Sequence, residues 1–238
     1  MRSVDVTAII LAGGKGTRLR EVVADRPKVL APVAGRPFLA YLLDQVERAG
    51  VRRVILSTGH MAEQFADVIG HRHNGIEINY AREESPLGTG GAIKFAAAQS
   101  NSPHVLVMNG DSYFDADLVS YTAWHAAGGQ DASLLLVKVP DASRFGTVEL
   151  RPDGEHVAAF LEKQGVARPG LINAGIYLLR QDAIYRIPDG PCSIERDVFP
   201  SWLDAFDVRG WVTDGEFIDI GIPTDYERSH DFMVRVTT

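Results

Sequence analysis

Three glycines within four positions, Gly13, Gly14 and Gly16, surround Lys15 and precede Thr17 and Arg18, directly after a short apolar run at residues 7–11. Glycine lets a backbone approach a phosphate closely and take up conformations that other residues resist. Lys15 and Arg18 add positive charge at the same place. As chemistry this is a phosphate-binding loop; as structure alone it is a tight turn carrying a solvated lysine and arginine, and the loop by itself leaves both open. Two familiar phosphate loops are excluded. No Gly-Lys-Ser or Gly-Lys-Thr occurs anywhere, so the G-x-x-x-x-G-K-[ST] loop is absent. The dinucleotide fingerprint G-x-G-x-x-G would begin at Gly14 and fails at Leu19.

Arg26-Pro27-Lys28 follows shortly after, so Lys15, Arg18, Arg20, Arg26 and Lys28 form a cationic cluster in an otherwise acidic chain. A triphosphate needs such a set of donors and charges, and Pro27 restricts the backbone just before Lys28. Asp111 comes at the end of another apolar run, 105–108, where a lone aspartate more often caps a turn than binds a metal. No Ser-His-Asp or Cys-His arrangement stands out. His60, His125 and His230 read as surface or packing residues, and Cys192 has no evident activating partner.

Gly-Gly-Lys-Gly-Thr-Arg-Leu at 13–19, followed by Arg-Pro-Lys at 26–28, resembles the signature of the sugar-phosphate nucleotidyltransferases. The resemblance continues in order along nearly the whole chain, through Pro86-Leu87-Gly88-Thr89-Gly90-Gly91-Ala92, Asn109-Gly110-Asp111, Phe145-Gly146, Glu162-Lys163, Asn173-Ala174-Gly175 and Asp219-Ile220-Gly221-Ile222-Pro223. The family's usual Gly-Thr-Pro is Gly-Ile-Pro in the last motif, a departure that spares the aspartate. In Asn109-Gly110-Asp111-Ser112-Tyr113-Phe114-Asp115, Ser143-Arg144-Phe145-Gly146 and Ile172-Asn173-Ala174-Gly175-Ile176-Tyr177 the chain most resembles, within the family, the D-glycero-α-D-manno-heptose 1-phosphate guanylyltransferases.

The resemblance implies a reaction, a fold and roles. The reaction transfers a nucleoside monophosphate from a nucleoside triphosphate, GTP favoured, to a sugar 1-phosphate, and releases pyrophosphate. The fold is α/β, a Rossmann-like, GT-A-like three-layer sandwich whose mixed, mostly parallel central sheet carries an antiparallel sugar-binding extension. Arg18 would grip the departing phosphates and Lys28 would offset charge at the α-phosphorus. Asp111 and Asp219 would hold Mg²⁺, which is content with one or two carboxylates plus phosphate oxygens and water. The nucleotide would rest on Leu11, Ala12, Gly13, Gly14, Lys15, Gly16 and Thr17, and on Pro86, Gly88, Thr89 and Gly90. Glu83 and Glu84 just precede that second segment, and Glu84 is taken as acceptor of the guanine N–H groups, although an exposed acidic turn explains both glutamates equally well. Lys163 would bind the sugar phosphate, with Glu162 and Asn173 on sugar hydroxyls and Gly146 and Gly175 letting main chain approach the sugar. Without the family pattern, Glu162 and Lys163 would be an exposed charge pair of little consequence. Other readings remain: the same reaction with UTP or CTP and a hexose or N-acetylmuramic acid 1-phosphate, or with GTP and mannose 1-phosphate; a non-catalytic nucleotide-sugar sensor; and a dehydrogenase, disfavoured by the failed fingerprint.

Such residues need rigid elements behind them. Residues 7–11 form an almost uninterrupted apolar run, as a strand buried on both faces does. Residues 37–49 place Phe38, Leu39, Leu42, Leu43 and Val46 at helical spacing between Pro37 and Gly50. Strands follow at 53–57, 76–80, 105–108 and 132–139, and helices at 62–69 and 90–99. This alternation predicts a largely parallel sheet with ligands at the carboxyl ends of its strands. Past residue 145 the pattern changes to strands at 147–150, 157–161 and 172–179, with helices at 193–206 and 223–234. The expectation is a single domain over 1–238, with a nucleotide-binding half to about 140 and a sugar-phosphate half beyond.

Composition bounds the rest. The 238 residues are 45% hydrophobic and 23% charged, ordinary for a globular protein, and the net charge of −7 argues against broad nucleic-acid binding. The single Cys192 excludes an internal disulfide, no segment has the length of a membrane span, and the start of the chain does not read as a signal peptide. A cytoplasmic protein with no membrane partner is expected, as monomer or homodimer; Trp202, Phe206 and Phe232 are read as core before they are read as a dimer contact.

Overall fold

The structure, a computed structural model, describes residues 4–14, 16–19, 22–161 and 165–237. Four strands, His104–Asn109, Val6–Leu11, Arg53–Thr58 and Ile76–Arg82, lie side by side in that order and run parallel. Their residues alternate between two cores. Ala8, Ile10, Leu106 and Met108 face one layer, with Phe38, Leu39, Leu42 and Leu43 of the helix Phe38–Arg48 and Phe232 and Met233 of the helix Pro223–Thr237. Ile9, Val105 and Val107 face the other, with Ile93, Ala96 and Ala97 of the helix Gly88–Ala97 and with Phe199 and Trp202. A period-two strand buried on both sides thus yields three layers. The sheet is mixed and mostly parallel in this half, as the sequence pattern implies.

On the far side of His104–Asn109 the sheet turns antiparallel. Gly170–Arg180 pairs with it and also with Ala132–Val139, while Thr147–Leu150 and Val157–Leu161 extend the outer edge. Val208–Thr213 adds a parallel partner to Ala132–Val139. A separate ribbon joins Ser112–Phe114 to Phe217–Asp219, antiparallel, with Ser112 opposite Asp219.

Three local findings differ from the sequence pattern. The helix expected over 193–206 is a π turn at Ile194–Val198 followed by one short helix, Phe199–Trp202. Pro200 explains the break: its ring crowds the carbonyl four residues back, and the widened turn closes instead from the Phe199 amide to the Ile194 carbonyl. Second, Leu118–Gly128 is a helix, capped by the Asp117 side chain accepting from the Ser120 amide at 3.0 Å. Third, the strands Ser112–Phe114, Val208–Thr213 and Phe217–Asp219 carry too few alternating residues to stand out. Trp202 and Phe232 are buried and Phe206 packs against its core, so these aromatics belong to the interior. Among the described residues, no helix is long and apolar enough to cross a membrane.

Candidate active site

The parallel strands stop together. Leu11 lies opposite both Ser57 and Asn109, and Thr58 lies opposite Arg82, so their carboxyl ends open into one crevice. Two cavities occupy it, of about 470 and 560 Å³, and both are lined by Asn109 and Asp111. The crevice is therefore one cleft with two lobes meeting at a short stretch of chain. That stretch must cross the first strand closely. The Gly110 amide donates to the Leu11 carbonyl at 3.0 Å, and a Cβ on Gly110 would sit 2.5 Å from that oxygen.

Leu11, Ala12, Gly13, Gly14, Lys28, Pro86, Gly88 and Thr89 line the smaller lobe. The Glu83 carboxylate closes it, accepting from the Ser57 hydroxyl and the Leu87 amide, both at 3.0 Å. Its Oε1 comes within 2.9 Å of where a side chain on Gly13 would begin, so this glycine makes room for an acid. Glu84 is exposed and lines neither lobe, whereas its neighbour Glu83 lines the smaller one. Gly16, Thr17 and Gly90 also lie outside both linings. Gly16 backs onto the Lys28 side chain, Thr17 is exposed, and Gly90 faces Cys192, to whose carbonyl its amide donates at 2.9 Å. Glycines in the 88–91 segment thus serve helix packing as well as any ligand. The larger lobe gathers Arg18, Gly146, Asn173, Gly175 and Asp219. Gly175, at φ +74°, sits where a Cβ would strike the Asn109 carboxamide at 2.6 Å, so only glycine lets the long strand pass there.

Asp111 and Asp219 are brought together by the short ribbon, clamped where the Ile220 amide donates to the Asp111 carbonyl at 2.9 Å. Burial, and then the Asp111 charge, push the Asp219 carboxyl above the ordinary carboxylate range, against a hydrogen bond of 2.5 Å from the Gly221 amide. Lys28 Nζ donates to Asp111 Oδ2. Two converging carboxylates, one of them buried and raised by its neighbour, form a donor set that suits a hard cation such as Mg²⁺. No group of three or more His, Cys, Asp or Glu suited to a metal occurs among the described residues, which leaves room for phosphate oxygens in the shell.

Of the described members of the expected cationic cluster, Arg18 and Lys28 lie at the two aspartates and Arg26 does not. Arg18 reaches the larger lobe near Gly221, and Lys28 joins Asp111. Arg26 pairs with Asp25 at 2.7 Å and faces a different cavity. Lys15, Arg20, Glu162 and Lys163 lie outside the described residues. Among the lining residues without a role in the sequence reading are Asn109, Ser193, Glu195 and Arg196. Asn109 stood in a quoted motif, and its Oδ1 is buried without a partner among the described residues. The other three lie on a turn whose geometry no local pattern announces.

Residues 7–235 match the model of a family described as nucleotidyl transferase. The chain is 40% identical to a D-glycero-α-D-manno-heptose 1-phosphate guanylyltransferase of Aneurinibacillus thermoaerophilus, over 93% of this chain and 96% of the relative. It is 39% identical to a mannose-1-phosphate guanylyltransferase of Mycobacterium tuberculosis, over 99% of this chain but 66% of that longer protein. The crystal structure of HddC from Yersinia pseudotuberculosis in complex with GMP-PN superposes with a TM-score of 0.83 at 35% identity, covering 95% of this chain and 99% of HddC.

Proposed function

The chain belongs to the nucleotidyl transferase family, and from that premise we propose that it transfers GMP from GTP to a sugar 1-phosphate, with D-glycero-α-D-manno-heptose 1-phosphate as the sugar substrate. The observation that carries the reading is the two-lobed cleft: two ligand-sized cavities meet at Asn109 and Asp111, with Asp219 beside them. A group-transfer enzyme needs its two substrates to meet at such a point. The choice of guanine rests on Glu83, whose held carboxylate matches the paired N–H donors of that base, and on the guanylyltransferase relatives. The choice of heptose rests on the Aneurinibacillus relative. Mannose 1-phosphate is the second reading, favoured by the Mycobacterium relative.

A phosphate oxygen of the sugar 1-phosphate attacks the α-phosphorus in line, and the bond to pyrophosphate breaks. The nucleophile is already ionised at neutral pH, so the chain supplies no general base, and its work is positioning and charge neutralisation. The 11–14 backbone and Glu83 seat the nucleotide. Lys28, set by Asp111, aims its ammonium at the α-phosphate region. Arg18 takes the phosphate charge on the side of Asp219, while Asn173 and the main chain at Gly146 and Gly175 meet the sugar. Glu162 and Lys163 are assigned to the sugar and its phosphate from the family pattern alone. Asp111 and Asp219 would hold Mg²⁺, whose contribution when bound is to draw charge from the phosphate oxygens.

Pyrophosphate release, measured with GTP, UTP, CTP, ATP and dTTP against a panel of sugar 1-phosphates, tests the proposal. Release with GTP and the heptose phosphate, abolished by EDTA and restored by Mg²⁺, is the expected outcome. Release with mannose 1-phosphate alone selects the second reading. Tight nucleotide binding without release by any pair overturns both and indicates a sensor.

A further inference from the structure

A chain of hydrogen bonds runs behind the wall of the larger lobe, reaching it at Asn173 and at Glu195, a residue given no role above. Glu195, on the π turn Ile194–Val198, accepts from the hydroxyls of Thr89 and Ser193 through Oε2, both at 2.9 Å. Its Oε1 accepts from the Tyr177 hydroxyl at 3.0 Å. That hydroxyl in turn accepts from Asn173 Nδ2 at 2.7 Å, and Asn173 Oδ1 accepts from the Gly175 amide at 2.8 Å. Tyr177 is fully buried; burial and the adjacent Glu195 charge hold its ionisation far above the ordinary range, so at neutral pH it keeps the proton it donates.

A carboxamide has two protons on nitrogen and two lone pairs on oxygen. The protein takes one of each from Asn173, leaving one donor and one acceptor for the lobe it lines. The orientation of the carboxamide is held at two points, by the Gly175 amide on Oδ1 and by the Tyr177 hydroxyl on Nδ2, and the direction of that hydroxyl is decided by Glu195. We propose that Glu195 is a positioning residue for the sugar: acting through Tyr177, it fixes the orientation of the Asn173 carboxamide that meets the sugar hydroxyls. The inference rests on the function proposed above. Without the carboxylate, the Tyr177 hydroxyl loses its acceptor and is free to turn. The carboxamide then keeps only the Gly175 amide as a fixed partner and swings about that contact, so its free donor and acceptor no longer meet the sugar at set positions.

Steady-state pyrophosphate release by Glu195→Ala, Glu195→Gln and Tyr177→Phe, with a thermal melt beside each, tests this. Glu195→Ala and Tyr177→Phe are expected to raise KM for the sugar 1-phosphate about tenfold, with kcat and KM for GTP within about threefold. Glu195→Gln keeps an acceptor for Tyr177 and should recover to within about threefold of the native KM. Tyr177→Phe removes a single oxygen, so it gives a reading even if Glu195→Ala does not fold. An unchanged sugar KM in a folded Tyr177→Phe or Glu195→Ala overturns the inference, as does a fall in kcat alone. If the native enzyme turns over no substrate pair, the proposed function fails instead, and calorimetric binding of mannose 1-phosphate decides the inference. Weaker binding by Tyr177→Phe than by the native protein upholds it, and equal or absent binding overturns it.

Discussion

At the residue scale, the two aspartates at the junction of the lobes sit in opposite environments. Burial and Asp111 both disfavour a charge on Asp219, whereas Asp111 has Lys28 as partner. Neutralising each one should therefore separate activity from stability. Asp219→Asn keeps the shape and removes the repulsion, so its melting temperature should stay level or rise in metal-free buffer. Asp111→Asn leaves the Lys28 ammonium, 12% exposed, without its carboxylate and should cost about 1–3 kcal/mol. Both should lower kcat/KM by about 1,000-fold, in line with loss of a group that stabilises transition-state charge. Melting curves and pyrophosphate release on the two variants check this, and a clear loss of stability in Asp219→Asn would contradict it. Glu83 and Glu84 carry another lesson of this scale. Glu83 continues the face of Ala81, which registers opposite Ser57, so the alternation along Ile76–Arg82 points it into the cleft and turns Glu84 away. That period was in the sequence, but which face of the strand is functional was not.

The long strand Gly170–Arg180 is the element that shapes the larger lobe, proposed above to take the sugar. Its register against Ala132–Val139 shifts between Asn173 and Tyr177, and Gly175 lies inside that irregularity with φ +74°. Gly175→Ala would meet both a left-handed backbone and the Asn109 carboxamide, so a loss of about 2–4 kcal/mol is expected, with sugar binding weakened as well. Gly129→Ala is the control: its φ is +69° with open space around it, and the expected loss is about 1 kcal/mol with activity retained. Urea denaturation midpoints of the two variants test the comparison, and equal losses would refute the steric part of the argument. Legibility also varied by element. Leu118–Gly128 carries a helical signal in the sequence itself, with Asp117 at its cap and Leu118, Tyr121, Thr122 and His125 on one buried face. The break at Ile194–Val198 was hidden, because the pattern around it is helical and only Pro200 hints at the widened turn.

For the molecule as a whole, the buried imidazole of His125 couples folding to pH. It lies between the helix Leu118–Gly128 and the sheet, its Nδ1 2.8 Å from the Ser133 hydroxyl and its Nε2 without a partner among the described residues. Burial first, then His104 and Arg180, depress its pKa from the ordinary 6.5 to about 3, with Asp207 opposing. The folded state therefore holds His125 neutral while the unfolded chain binds a proton below about pH 6.5, so stability is complete above that pH and falls as the pH drops toward 3. Between pH 7.5 and pH 5 this group should remove about 2 kcal/mol. Urea unfolding at the two pH values checks it, and His125→Gln should shrink the difference by about that amount; a difference unchanged in the variant would count against the assignment.

Features that depend on neighbours along the chain are written in the sequence. Apolar runs such as residues 7–11 specify strands buried on two faces, Pro37 and Gly50 bound a helix, and the order of motifs places ligand chemistry at strand ends. Those patterns record local backbone preference and burial. What meets across the cleft follows from the tertiary structure: Asp219 pairs in register with Ser112 and so reaches Asp111, Arg26 turns away, Glu83 rather than Glu84 closes the smaller lobe, and Glu195 joins Thr89 to Tyr177. Apart from the pairing of Arg26 with its neighbour Asp25, these contacts join segments distant in the chain. Their geometry follows from how the two cores pack against the sheet, which no stretch of neighbouring residues encodes.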